Sequence, residues 1–142
     1  MCFVCGRENP AGLQAQFTSD GKHIFCTYTP RDEYQGYPGV VHGGILCALL
    51  DETLGRTCFL IGDDNWMVTA KMEVRFKAPV PTGKPVTAMG EIVRDRGRLL
   101  ESHGEIRLED GTLALEANAT FVRAPKHVVE QWDAERDGWK ID

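Results

Sequence analysis

The run Val40-Val41-His42-Gly43-Gly44-Ile45-Leu46-Cys47-Ala48-Leu49-Leu50-Asp51-Glu52 decides how the rest of this chain reads. Two glycines leave a helix start clear of side chains, so its unpaired N–H groups can face a ligand oxygen. Ile45 through Leu50 are apolar without a break, so a helix over them has no solvent face and must be covered on most sides. Inside that helix, nine residues after His42, stands a carboxylate, Asp51. A backbone donor that polarises a carbonyl and an acid shielded from water are the two parts that hydrolysis of an activated acyl group requires. The bland alternative is a glycine-started core helix whose Asp lies at the surface.

Outward from this run the chain is punctuated as one α+β domain over 1–142, with a core of about 13–123 and a tail over 124–142. Residues 13–18 and 22–29 read as a strand pair across the turn Ser19-Asp20-Gly21. The helix is expected from about Gly43 to Leu60, ended by Gly62-Asp63-Asp64-Asn65. Four strands are then expected at 67–78, 86–95, 99–109 and 112–123. Val74 and Phe76 alternate with Glu73, Arg75 and Lys77, the period of a half-buried strand. Pro79, Pro81, Thr82-Gly83 and Pro85 interrupt the chain before the second of these, and Arg96-Gly97-Arg98 and Glu109-Asp110-Gly111 read as tight hairpin turns. In the tail, Val128, Val129 and Trp132 have helical spacing. Strands meandering around one long central helix make an antiparallel sheet wrapped on that helix. One such layer leaves a face open, and a second copy is expected to cover it.

Composition restricts the partners. The net charge of −5 and the lack of a long basic run argue against nucleic acid. No apolar run approaches the ~18 residues of a membrane span. Met1-Cys2-Phe3-Val4-Cys5-Gly6-Arg7 is too short in its apolar part for a secretion signal, and five scattered cysteines suit a reducing cytoplasm better than a disulfide framework. Cys2 and Cys5 have zinc-ligand spacing, yet no second Cys/His pair at finger spacing follows, so no metal is expected. Ser19 and Ser102 lack a nucleophile elbow, and Cys47 and Cys58 read as core fillers.

The choice between adjacent acids follows from helix spacing. Glu52 has Arg56 four positions on and reads as a solvated helix-face pair. Asp51 has Gly55 at that position, Leu54 at three, and Cys47 and Ala48 behind it. An acid without a cation on its own helix, among apolar or small neighbours, is the better candidate for chemistry.

The order of elements, with His-Gly-Gly and an Asp nine residues on, resembles the hotdog-fold acyl-CoA thioesterases of the phenylacetate-pathway and human thioesterase-superfamily type. The similarity covers roughly residues 13–123, and Cys2-Phe3-Val4-Cys5-Gly6, Asn9-Pro10 and Gly12-Leu13 look like the start of many members. The resemblance implies cleavage of a thioester between an acyl group and coenzyme A or a carrier protein, with no metal or redox cofactor. It matches Gly43 to the glycine whose N–H polarises the carbonyl, His42 to the adjacent histidine, Asp51 to the catalytic carboxylate and Thr69 to a residue that positions water. Gly44 completes the motif. Where relatives often carry Asn, six residues before the histidine, this chain has Gly36, and Gln35 offers an amide beside it. His42 is read as orienting the helix start in preference to acting as base. Arg94 and Arg96, with Arg98, either meet coenzyme A phosphates or form a solvated hairpin.

Helix geometry adds a requirement. Eight residues at ~1.5 Å each separate Gly43 from Asp51 by about 12 Å. One residue cannot hold a carbonyl oxygen while the other delivers water to its carbon at ~3 Å. Two antiparallel helices about a two-fold axis would bring one chain's Gly43 beside the other's Asp51, so the site is expected at a homodimer interface, within a tetramer if dimers pair further. A rival reading keeps the fold and makes the pocket a non-catalytic acyl-CoA sensor.

Overall fold

A computed structural model describes residues 1–62 and 65–133. The elements run β1 (Thr18–Ser19), β2 (His23–Tyr28), α1 (Gly43–Gly55), β3 (Met67–Phe76), β4 (Val86–Asp95), β5 (Leu99–Leu108), β6 (Leu113–Arg123) and α2 (Lys126–Asp133). The strands form one six-stranded antiparallel sheet in the order β1-β2-β4-β5-β6-β3.

The sheet carries α1 on one face. Along β5, Leu100, Ser102, Gly104 and Ile106 alternate as buried positions, and along β6 so do Leu115, Ala117, Ala119 and Phe121. Leu46, Leu49, Leu50 and Leu54 of α1 pack down onto this surface. The helix comes very close where Gly90 and Gly104 pair across β4 and β5. A Cβ on Gly104 would stand 2.6 Å from the Met89 carbonyl oxygen and 2.7 Å from a Leu54 methyl. Only glycine leaves room for the helix there. The polar groups trapped beneath it are satisfied: Thr57 Oγ1 and Ser102 Oγ lie 2.8 Å apart, both residues buried.

Three expectations about the elements are corrected. First, α1 stops at Gly55, and Arg56–Ile61 continues as a tighter 3₁₀ turn. Thr53 and Thr57 hydroxyls donate back to the Leu49 and Leu54 carbonyls at 2.7 and 2.6 Å, competing with the helical ladder around a weak helix former, Gly55. Secondly, residues 13–17 are not a ladder strand. Their burial alternates as expected, but Leu13 and Ala15 donate their N–H groups to the Phe3 and Val4 carbonyls, at 2.7 and 2.8 Å. The N-terminal segment thus takes the place of a sheet neighbour, and Val4 and Cys5 join the core.

Thirdly, the last four strands are not a simple meander. β4, β5 and β6 are, through hairpins whose Gly97 and Gly111 have φ of +77° and +87°. β3 instead lies on the far edge, beside β6. The Pro-rich connection explains this, because prolines cannot continue a ladder. It crosses the end of the sheet with Val80 fully buried and the Val80 carbonyl accepting from Val41 N–H at 2.8 Å. β4 then pairs with β2.

In the tail, α2 occupies Lys126–Asp133, and 134–142 lie outside the described residues, as do Asp63 and Asp64 of the expected helix-ending turn. Among the described residues no helix is long and apolar enough to cross a membrane.

Candidate active site

Helix α1 begins with an arrangement made by His42. Its Nδ1 accepts from the Gly44 N–H at 2.9 Å, and its carbonyl accepts from Ile45 and Leu46. With the His42 N–H itself donating to the Tyr34 carbonyl at 2.8 Å, the N–H groups of His42, Gly44 and Ile45 are used, three of the four that a helix start leaves unpaired. The fourth, on Gly43, has no acceptor among the described residues, and it lies at the positive end of the helix. The lack of a side chain matters here, since a Cβ on Gly43 would come within 3.2 Å of the Phe76 ring.

The loop before the helix is pinned rather than free. Gln35 bridges Val41, and its side-chain Oε1 accepts from the Gly39 N–H at 2.9 Å. Gly36 lies against His42, where a Cβ would make ordinary van der Waals contact with the His42 Cα at 3.5 Å. Gln35 therefore belongs to the Gly43 end of the helix and shapes the loop that carries His42.

Two turns further on, Asp51 points toward β3, and Thr69 Oγ1 donates to its Oδ1 at 2.8 Å. Oδ2 has no hydrogen-bond partner among the described residues. Thr69 stands at the one irregularity of the β3–β6 ladder, where Ala70 is bulged out between Thr69 and Lys71. A bulge bends the strand and re-aims the neighbouring side chain. Cys47 lies one turn before Asp51, and desolvation together with the Asp51 charge pushes its thiol pKa up. Burial pushes that of Cys58 up to about 12. Both remain thiols near neutral pH, which suits packing better than nucleophilic attack.

Beside the Asp51–Thr69 pair opens a chamber of about 440 Å³, walled by Phe59, Trp66, Met67, Phe121 and Trp132. Trp66 stacks edge-on against Phe59 at 5.9 Å and against Trp132 at 5.7 Å. Phe59 and Trp66 line the chamber, and the two tyrosines of the loop before α1 do not. Tyr37 is exposed, and Tyr34 turns away to donate to the Gly12 carbonyl at 2.8 Å. Trp132 was legible only as part of an apolar helical stripe in the tail, a signal that carries no address. Arg94 and Arg96 are exposed at the β4–β5 hairpin, with Arg94 paired to Glu101 at 3.4 Å, and neither lines the chamber.

Glu52 corrects the sequence reading. Its pair with Arg56 exists, Nε to Oε1 at 3.0 Å, but it is not solvated: the side chains are 15% and 4% exposed. Arg56 also lies over the Phe17 ring, 4.5 Å from its centroid. Burial pushes the Glu52 pKa up while Arg56 pulls it down, and the Cys2 thiol approaches its Oε2 at 3.7 Å. The N-terminal segment folding over α1 causes this, a contact that local spacing cannot reveal.

Comparison with known families decides the affiliation. Residues 38–115, from the loop before His42 into β6, match the model of the thioesterase superfamily. The chain belongs to the thioesterase superfamily. A curated superfamily relative, acyl-coenzyme A thioesterase THEM4 of Xenopus laevis, is 30% identical over 104 residues, 72% of this chain and 46% of the relative. The chain spans about half the length of the curated relatives it matches first. Among solved structures, the thioesterase superfamily protein RHA08564 is 33% identical with a TM-score of 0.77, over 85% of this chain and 59% of that one. The smu.793 protein of Streptococcus mutans, whose structure contains acetyl CoA, shares the fold at 20% identity and a TM-score of 0.74, over 84% of this chain and 96% of that one. The helix-wrapping sheet of this superfamily member is thus the hotdog fold.

Proposed function

We propose that this protein hydrolyses an acyl-CoA, or an acyl group on a carrier protein, to the free acid and the thiol. The observation that carries the reading is the Thr69–Asp51 hydrogen bond at the mouth of an apolar chamber. By occupying Oδ1 it leaves Oδ2 as the free basic atom, directed by a fixed partner. Its counterpart is the Gly43 N–H at the helix start, a donor with no acceptor among the described residues.

In this reading Asp51 takes a proton from water, and the hydroxide attacks the thioester carbon. The carbonyl oxygen gathers negative charge and is held by the Gly43 N–H. Collapse breaks the carbon–sulfur bond, and the thiolate recovers the proton from Asp51. A second route has Asp51 attack the carbon itself, breaking the carbon–sulfur bond and expelling the thiolate to form a mixed anhydride; water then cleaves the anhydride, restoring the Asp51 carboxylate and supplying the proton the thiolate takes up. Neither route needs a metal or redox cofactor. Gly44 keeps the approach open, Gln35 and His42 hold the loop, and the chamber under Trp66 and Trp132 receives the acyl end. Arg94 and Arg96 would serve only phosphates reaching over the hairpin.

The site is proposed to be shared by two copies, since Gly43 and Asp51 of one helix are about 12 Å apart. Two features support a partner. Strand β3 is a ten-residue edge whose outer side has no neighbour strand among the described residues, a ready template for another chain. Gly44, Cys47, Ala48, Asp51 and Gly55 form a part-exposed stripe along α1, small enough for close approach of a second helix. The cytoplasm, with its coenzyme A thioesters and reduced thiols, is the compartment this chemistry fits.

An acyl-CoA panel followed with a thiol-trapping reagent tests the proposal. Release of coenzyme A from at least one acyl class is the expected result. Tight binding of acyl-CoA without turnover would replace hydrolysis by the sensing reading.

A further inference from the structure

We propose that Cys2, Cys5 and Glu52 form a site for a thiophilic divalent cation, zinc in the first instance, that ties the N-terminal turn to helix α1. Sequence spacing sets the Cys2-x-x-Cys5 pair aside because no second pair follows. The missing donor comes from fifty residues away, on the helix.

The turn itself is built like a metal-binding knuckle. Gly6 N–H donates to the Cys2 carbonyl at 3.0 Å, and Val4 N–H donates to the Cys2 sulfur at 3.3 Å. A Cβ on Gly6 would fall 2.4 Å from the Cys2 carbonyl oxygen, so this closure requires glycine. An amide N–H aimed at a sulfur stabilises it as thiolate, the form that binds metal. Both sulfurs lie on the side facing α1.

The third donor completes a coordination face. The Cys2 and Cys5 sulfurs and a Glu52 carboxylate oxygen all lie within 4.8 Å of one another. A tetrahedral ion with bonds of ~2.3 Å to sulfur and ~2.1 Å to oxygen holds its sulfur and oxygen ligands about 3.6 Å apart. Cys2 Sγ and Glu52 Oε2 are 3.7 Å apart. Glu52 divides its two oxygens, with Oε1 on Arg56 and Oε2 toward the sulfurs.

Charge also balances. A divalent ion takes the place of the two thiol protons, which leave to solvent, so the cluster with Glu52 and Arg56 keeps its net charge. Two thiolates and one carboxylate favour zinc over hard cations such as magnesium or calcium. Cys5 is buried and Cys2 partly exposed, so the fourth position opens on the Cys2 side, where water can enter. No step of the proposed hydrolysis passes through this ion. Its consequence is mechanical, because Glu52 adjoins Asp51 and the ion would anchor that turn of α1 to residues 2–5.

Cobalt(II) titration of the full-length reduced protein, stripped with a chelator and with its thiols counted beforehand, tests the site independently of activity. One cobalt per chain is expected, with a thiolate-to-cobalt band in the near ultraviolet and the strong visible bands of a four-coordinate ion, both abolished by added zinc. Cys2→Ser and Cys5→Ser should each lose about half or more of the near-ultraviolet band, the double variant all of it, and Cys47→Ser should keep it. Glu52→Gln should weaken binding by at least the ~10-fold that losing even an outer-shell partner costs. Circular dichroism shows which variants are folded, and the parent spectrum decides the matter even if one is not. The proposal is overturned if the reduced parent binds cobalt without a thiolate band or takes up none. A band undiminished in Cys2→Ser or surviving in the double Cys2→Ser, Cys5→Ser variant, or unchanged affinity in folded Glu52→Gln, would overturn it equally.

Discussion

Asp51 and Glu52 are neighbours with the same charge and different surroundings. Glu52 is held by Arg56 in a buried pair, whereas Asp51 is held by a neutral hydroxyl and keeps one oxygen free. The two should therefore respond differently to substitution. Asp51→Asn preserves shape and removes the proposed base, so turnover of the best acyl-CoA should fall ~10²–10⁴-fold, with binding little changed because the proposed carbonyl contact is to the Gly43 backbone. Full turnover in Asp51→Asn would show that another group is the base. Glu52→Ala removes the carboxylate that Arg56 Nε holds at 3.0 Å in a largely buried pair, and a lower denaturation midpoint than that of the parent is expected. A midpoint within error of the parent would mean the pair is not buried in solution.

At the scale of elements, β3 and α2 carry the two features that decide what the site can do. β3 presents Thr69 through a bulge and leaves its outer edge unpaired, with Val68 and Phe76 exposed in a single chain. Phe76→Asp puts a charge into the proposed interface, so sedimentation should show monomers and activity should fall in parallel. A fully active monomer would remove the shared-site model. α2 brings Trp132 against Trp66, where it forms part of the chamber wall. Trp132→Ala enlarges the chamber, and the ratio of kcat/KM for longer over shorter acyl chains should rise by about ten-fold, the discrimination that one or two methylenes in an apolar pocket provide. An unchanged chain-length profile would place the acyl group elsewhere.

For the whole molecule, the proposed sharing of the site about a two-fold axis makes a prediction that no single-chain site would share. Gly43→Val crowds the carbonyl position and should inactivate the homodimer, as Asp51→Asn does. A mixed dimer of the two variants rebuilds one intact site from undamaged halves, and it should recover up to about half the parent activity. Heterodimers that form, by exchange of tagged subunits, and yet recover nothing would show that Gly43 and Asp51 do not act across the interface.

Much of this was legible from the chain alone, because local chemistry leaves local marks. Apolar periodicity located α1 and the strands from residue 67 onward to within a few residues, and glycines at the hairpins marked turns that need a positive φ. The Gly43–Asp51 spacing along a helix is a matter of rise per residue, so the need for a second copy could be argued before any coordinates. What tertiary structure alone decided depends on segments distant in sequence. The placement of β3 beside β6 follows from how the Pro-rich crossing packs Val80 against the loop before α1. The Thr69–Asp51 bond joins a strand bulge to a helix, and the chamber needs Trp132 from the tail. Glu52 read as solvated because its own helix supplied a cation, and it proved buried because residues 2–5 fold over it. Helix and strand follow from neighbours a few residues apart, whereas burial depends on whatever segment arrives to cover them.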